Sequence, residues 1–128
     1  MPFYPCRGGG NLKPFKIKLS AYSGNVNTNG QVSANIAFPF FMVKKVELYS
    51  LLDYNYEGNI TLTILGVDKE FKNYVEIEKK TTTRESISES TPLVIDLSNA
   101  KDYDFVELRL SGTKWNYGQK GLIKVYPR

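Results

Sequence analysis

The sequence predicts an all-β fold: an antiparallel β-sandwich, jelly-roll-like, with eight to nine strands. Three observations carry this. Val, Ile and Thr together supply 25 residues, against 4 Ala and 2 Gln, a balance that favours the pleated, half-buried backbone over the helix. Apolar residues recur with period two rather than 3.6. Gly, Asn and Pro signals punctuate the chain at the short intervals expected of a sandwich or barrel. An immunoglobulin-like sandwich is the alternative architecture, but its Cys…Trp…Cys pattern is absent.

Residues 1–14 read as a flexible N-terminal arm before a single sandwich domain at 15–128. The arm combines Pro2, Pro5 and Pro14 with Gly8, Gly9 and Gly10, and glycine costs ordering entropy. Phe15, Ile17, Leu19 and Ala21 then alternate with Lys16, Lys18 and Ser20, as in a strand with one wet face. The loop Ser23–Gly30 ends in an Asn-Gly turn signal. Val32, Ala34, Ile36 and Phe38 form a second alternating set, interrupted by Pro39. Phe41 to Leu52 reads as a long third strand, with Lys44-Lys45 breaking alternation as a bulge would.

Asp53–Asn59 is a turn, and Ile60, Leu62 and Ile64 define a fourth strand that Gly66 closes. Glu70–Lys79 is a fifth, with Phe71, Val75 and Ile77 expected inward. Lys80–Thr91 is polar, and reads either as a loop or as a short edge strand around Ile87. Leu93–Leu97, Phe105–Leu110 and Leu122–Tyr126 supply the remaining strands. Ser98–Asp102 forms a turn between the first two of these, and Trp115–Gly118 a loop between the last two.

Composition excludes whole classes of chemistry. The 128 residues contain no His and one Cys. His-based triads, His zinc sites, Cys-based zinc sites and an internal disulfide are therefore ruled out. No phosphate-loop or dinucleotide fingerprint occurs: Gly8–Gly10 follows no strand and opens no helix. The carboxylates fall on polar strand faces and turns, without a defined acid/base pair, so no catalytic residue is assigned and no enzymatic activity is expected. Asp96, Asp102 and Asp104 are the best calcium candidates but lack the spacing of a calcium loop; no metal or cofactor is expected.

Net charge is +4, and residues 1–52 carry six basic residues against the single acid Glu47. The basic residues are interleaved with core positions rather than clustered beside exposed aromatics, so no nucleic-acid partner is expected. No apolar run is long enough to span a membrane as a helix. The first ten residues lack the apolar core of a secretory leader. The chain is therefore expected in the cytoplasm of the host cell that makes it, or to leave by another route, of which release within a virus particle is one.

Sugar recognition calls for flat apolar faces beside amide and hydroxyl partners. Trp115, Asn116 and Tyr117 form one such loop set, and Tyr54 and Tyr56 another around Asn55. Phe3, Tyr4, Phe40 and Phe41 are candidate interface residues, since large apolar side chains at a surface mark contacts; core packing is the other reading of Phe38-Pro39-Phe40-Phe41.

The run from Ile95-Asp96-Leu97-Ser98 through Tyr103-Asp104-Phe105-Val106-Glu107-Leu108-Arg109-Leu110 resembles the closing half of small β-sandwich modules. Such modules occur in tail or appendage proteins of bacterial viruses and prophages, and similar runs occur in carbohydrate-binding modules. The opening Phe3-Tyr4-Pro5-Cys6-Arg7-Gly8-Gly9-Gly10 is similar to the glycine-rich start of small tail-associated proteins. The resemblance covers roughly a third of the chain and transfers no functional residue. It implies a virion-associated structural or adhesive protein that mediates assembly or attachment to a host surface. A homotrimer, other virion proteins or a cell-surface glycan are its expected partners. A carbohydrate-binding module using loop aromatics is the alternative function, and a small glycan hydrolase a third.

Overall fold

The structure, a computed structural model, describes residues 13–20, 33–52, 59–112 and 120–128. Eight strands form two four-stranded antiparallel sheets. They are β1 (Phe15–Ser20), β2 (Ser33–Pro39), β3 (Lys45–Leu52), β4 (Asn59–Val67), β5 (Tyr74–Thr83), β6 (Leu93–Asp96), β7 (Phe105–Ser111) and β8 (Lys120–Tyr126). One sheet has the order β1-β8-β3-β6 and the other β2-β7-β4-β5. Successive strands switch sheets at every connection except the β4–β5 hairpin. This is the jelly-roll arrangement that the sequence predicts.

The alternation seen in the sequence becomes the two inner faces. Leu19, Val46, Leu48, Leu51, Ile95, Ile123 and Val125 from one sheet meet Ala34, Ile60, Leu62, Ile64, Val106, Leu108 and Leu110 from the other, all buried. Phe15, Ile17, Ile36, Phe38 and Leu93 pack partly buried around them. Registers are fixed along β1 and β8 from Phe15↔Val125 to Ser20↔Lys120, and along β2 and β7 from Ser33↔Ser111 to Pro39↔Phe105.

Four local expectations are corrected. The third strand starts at Lys45 rather than Phe41, because Phe40–Met42 forms a 3-10 turn. That turn drops Phe40 into the core at 8% exposure and leaves Phe41 outside at 58%. Arg128 secures it: the guanidinium stacks 3.9 Å from the Phe40 ring centroid and donates to the Leu97 carbonyl at 2.9 Å. The bulge of β3 lies between Leu48 and Ser50, not at Lys44-Lys45. Leu48 and Leu51 both point inward, so two residues must separate them on the outside.

Gly66 lies inside β4 rather than ending it. A Cβ there would meet the Tyr103 ring at 2.5 Å, so the missing side chain makes room for that ring. Finally, β5 starts at Tyr74, after a turn in which Phe71 has φ 57°. Phe71 stacks on Phe105 with centroids 4.6 Å apart, and Val75 faces solvent at 47% exposure. Of the three residues expected inward, Ile77 alone packs on the core. The polar stretch after it continues β5 to Thr83 and then forms a 3-10 turn at Arg84–Ser86, with no strand at Ile87. The arm lies outside the described residues except for Lys13 and Pro14.

Candidate functional site

The outer face of the β1-β8-β3-β6 sheet carries the polar half of the alternation. Across it runs one row of neighbours in register: Lys16 opposite Lys124, Lys124 opposite Glu47, and Glu47 opposite Val94. A second row sets Tyr126 opposite Lys45, and Lys45 opposite Asp96. The β3 bulge turns Tyr49 to the same side, next to Lys16. A recess of about 330 Å³ opens here, lined by Lys16, Glu47, Tyr49, Glu89, Ser90, Pro92, Lys124 and Tyr126.

Its floor is held by a small network. The Tyr126 hydroxyl donates to Glu47 Oε1 at 2.8 Å. Lys45 Nζ lies 3.8 Å from Glu47 Oε2 and 4.2 Å from the Tyr126 ring centroid. Lys16 Nζ lies 5.3 Å from the centroid of Tyr49, and Lys124 Nζ 5.2 Å from that of Tyr126, both within cation–π range. Two ammonium groups therefore sit against ring faces on the β1–β8 side of the recess.

The opposite wall is the loop before β6. Ser88 and Thr91 exchange backbone hydrogen bonds at 3.3 and 3.2 Å, and their hydroxyls meet at 2.8 Å. The Ser88 hydroxyl also lies 3.1 Å from that of Ser90. This tight closure presents Glu89 and Ser90 to the recess, and Pro92 fixes the entry into β6. The arrangement offers aromatic faces, carboxylate and hydroxyl acceptors, and ammonium donors around one space. Strands supply most of it, and sites on strands are held more precisely than sites on loops.

A second, shallower recess of about 430 Å³ lies beside Phe40, Phe41, Asp102, Tyr103, Asp104 and Arg128. Asp96 is not part of it. Asp96 Oδ1 accepts from the Ser98 hydroxyl at 2.5 Å and the Ser98 amide at 2.8 Å. Among the described residues, no cluster of three His, Cys, Asp or Glu is placed to hold a metal ion. No described helix is long and apolar enough to cross a membrane.

Trp115, Asn116, Tyr117, Tyr54 and Tyr56 lie outside the described residues, as do Phe3 and Tyr4. Phe40, expected at an interface, is a core residue, and only Phe41 of that pair is at the surface. Sequence reasoning missed Glu47, Tyr49, Lys124 and Tyr126 as a group. The signal available was the outward alternation on two strands, but their juxtaposition depends on β8 lying between β1 and β3.

No family model matches the chain, and no curated protein matches it. Among solved structures, one is similar that comes from work on the promiscuous specificity of carbohydrate-binding modules of the beta-sandwich superfamily. It superposes with a TM-score of 0.48 at 4% identity, over 91% of this chain and 53% of that one. This chain thus spans about half the length of that structure. The likeness adds nothing to the resemblance with viral appendage proteins.

Proposed function

We propose that this chain is a non-catalytic saccharide-binding module, with its site in the recess on the outer face of the β1-β8-β3-β6 sheet. The observation that carries this reading is the placement of Tyr49 and Tyr126 beside Glu47, with Lys16 and Lys124 against the two rings. A sugar ring presents an apolar C–H face and a rim of hydroxyls. Tyrosine rings cover the first, and carboxylate and ammonium groups bond to the second. The recess falls at the lower end of the volumes typical of small-molecule sites. Glu47 is already engaged by Tyr126 and Lys45, and therefore serves as a fixed acceptor.

A glycan array probed with the wild-type protein and with Tyr49→Ala tests the proposal. Tyr49→Ala is expected to weaken retention at least tenfold while the melting temperature moves by only a few degrees. Full retention by that variant would remove the site from this recess. Binding of no glycan, or steady release of reducing ends from a bound one, would overturn the non-catalytic saccharide reading.

A further inference from the structure

We infer that the saccharide recognised here is acidic, a uronate-bearing glycan whose carboxylate sits on Lys16 and Lys124; this rests on the recess being the saccharide site. The recess is electrically lopsided. Lys16 and Lys124 stand directly opposite each other across β1 and β8, an arrangement that destabilises a sheet when the charges are alike and uncompensated. Lys18, on the same face of β1, adds a third cation beside them.

No described carboxylate forms an ion pair with Lys16, Lys18 or Lys124. Glu47, the cross-strand neighbour of Lys124, is paired with Lys45 at 3.8 Å instead. Glu89 stands on the far wall. A neutral sugar would satisfy Glu47, Glu89 and Ser90 through its hydroxyls, yet leave the two cross-strand lysines without a carboxylate partner. An acid group on the sugar pairs with both.

The far wall also argues against a nucleic acid. A phosphate chain crossing the recess would leave the lysines and run onto Glu47 and Glu89, where like charges repel. One anionic group at the lysine end and hydroxyls at the other match a uronic acid better than a repeating polyphosphate.

The test compares oligosaccharides carrying a single uronate with the same oligomers after carboxyl reduction, which exchanges the carboxylate for a hydroxymethyl group and leaves the sugar configuration intact. Calorimetric titration of the full chain is expected to show at least tenfold tighter binding of an acid oligomer, with the difference shrinking at high salt. In Lys16→Gln/Lys124→Gln, acid and reduced oligomers are expected to bind alike, at the reduced oligomer's affinity. In Tyr49→Ala, both weaken together. Equal affinities in the wild type would overturn the acidic ligand and leave the saccharide reading standing. A preference that survives in the double lysine variant would also overturn it. Oligothymidylate binding as tightly as the uronate, and lost in the same variant, would reveal a general polyanion site and sink the inference. Binding of neither sugar form would remove the saccharide reading and the inference together.

Discussion

At Gly66 a single added methyl group would run into an aromatic ring. Gly66 faces the inner side of β4 with the Tyr103 ring closing over it, and that ring in turn meets Phe40 edge-on at 6.3 Å. Gly66→Ala is expected to destabilise by about 1–3 kcal/mol, the usual cost of overpacking. Tyr103→Ala should suppress much of that penalty in the double variant, because the two changes share one contact; equilibrium urea denaturation of the four proteins measures the coupling. Two surface aspartates are shifted chiefly by hydrogen bonding. Asp96 is held below its ordinary value of 3.8 first by the Ser98 hydroxyl and then by the Ser98 amide. Asp68 is held below the same value by the Lys72 amide, then by the Asn73 side chain. A carboxyl whose folded value is depressed contributes its stability above the unfolded value and loses it as pH falls through the folded one. Stability should therefore be full above 3.8 and decline below it. In Asp68→Asn/Asp96→Asn the acid-side decline should be shallower, read from denaturation midpoints across that range.

At the scale of elements, period-two alternation made most strands legible. It placed Phe15–Ser20, the inward set of β4 and the span of β7, because one buried face leaves a direct mark on the sequence. It failed where tertiary space overrides local pattern. Phe40 turns inward through a 3-10 turn that Arg128 clamps, so Phe41, the expected start of the third strand, lies in that turn instead. Phe71 leaves β5 for the turn, where Asp68 accepts the Lys72 amide at 2.8 Å and the Asn73 side-chain amide at 2.6 Å. The bulge followed from Leu48 and Leu51, an apolar pair three apart that betrays an extra outward residue once noticed. The candidate site was less legible than the strands. Lys16, Glu47 and Lys124 become neighbours only through strand order, and nothing local encodes that order. The Lys16 and Lys18 alternation reads as an ordinary wet face, because its partners belong to strands far along the chain.

For the whole molecule, the strand order has a consequence in time rather than in space. The β2-β7-β4-β5 sheet has all its strands once synthesis reaches Ser111. The other sheet does not: β1 and β3 are both hydrogen-bonded to β8 and not to each other. Until Lys120–Tyr126 emerges, β1 has no neighbour in its sheet and the inner face of the finished sheet has no full lid. Closing so long a span of chain is entropically costly before it is rewarded, and sandwiches of this contact pattern fold in roughly milliseconds to seconds. A chain stopped at Gly112 should thus be cut by protease within β1 and β3 while the β4–β5 hairpin resists longer, and the full chain should protect both. The order of synthesis makes the first strand wait for the last, and a cell producing this chain must keep a half-covered apolar sheet from meeting its copies in the interval.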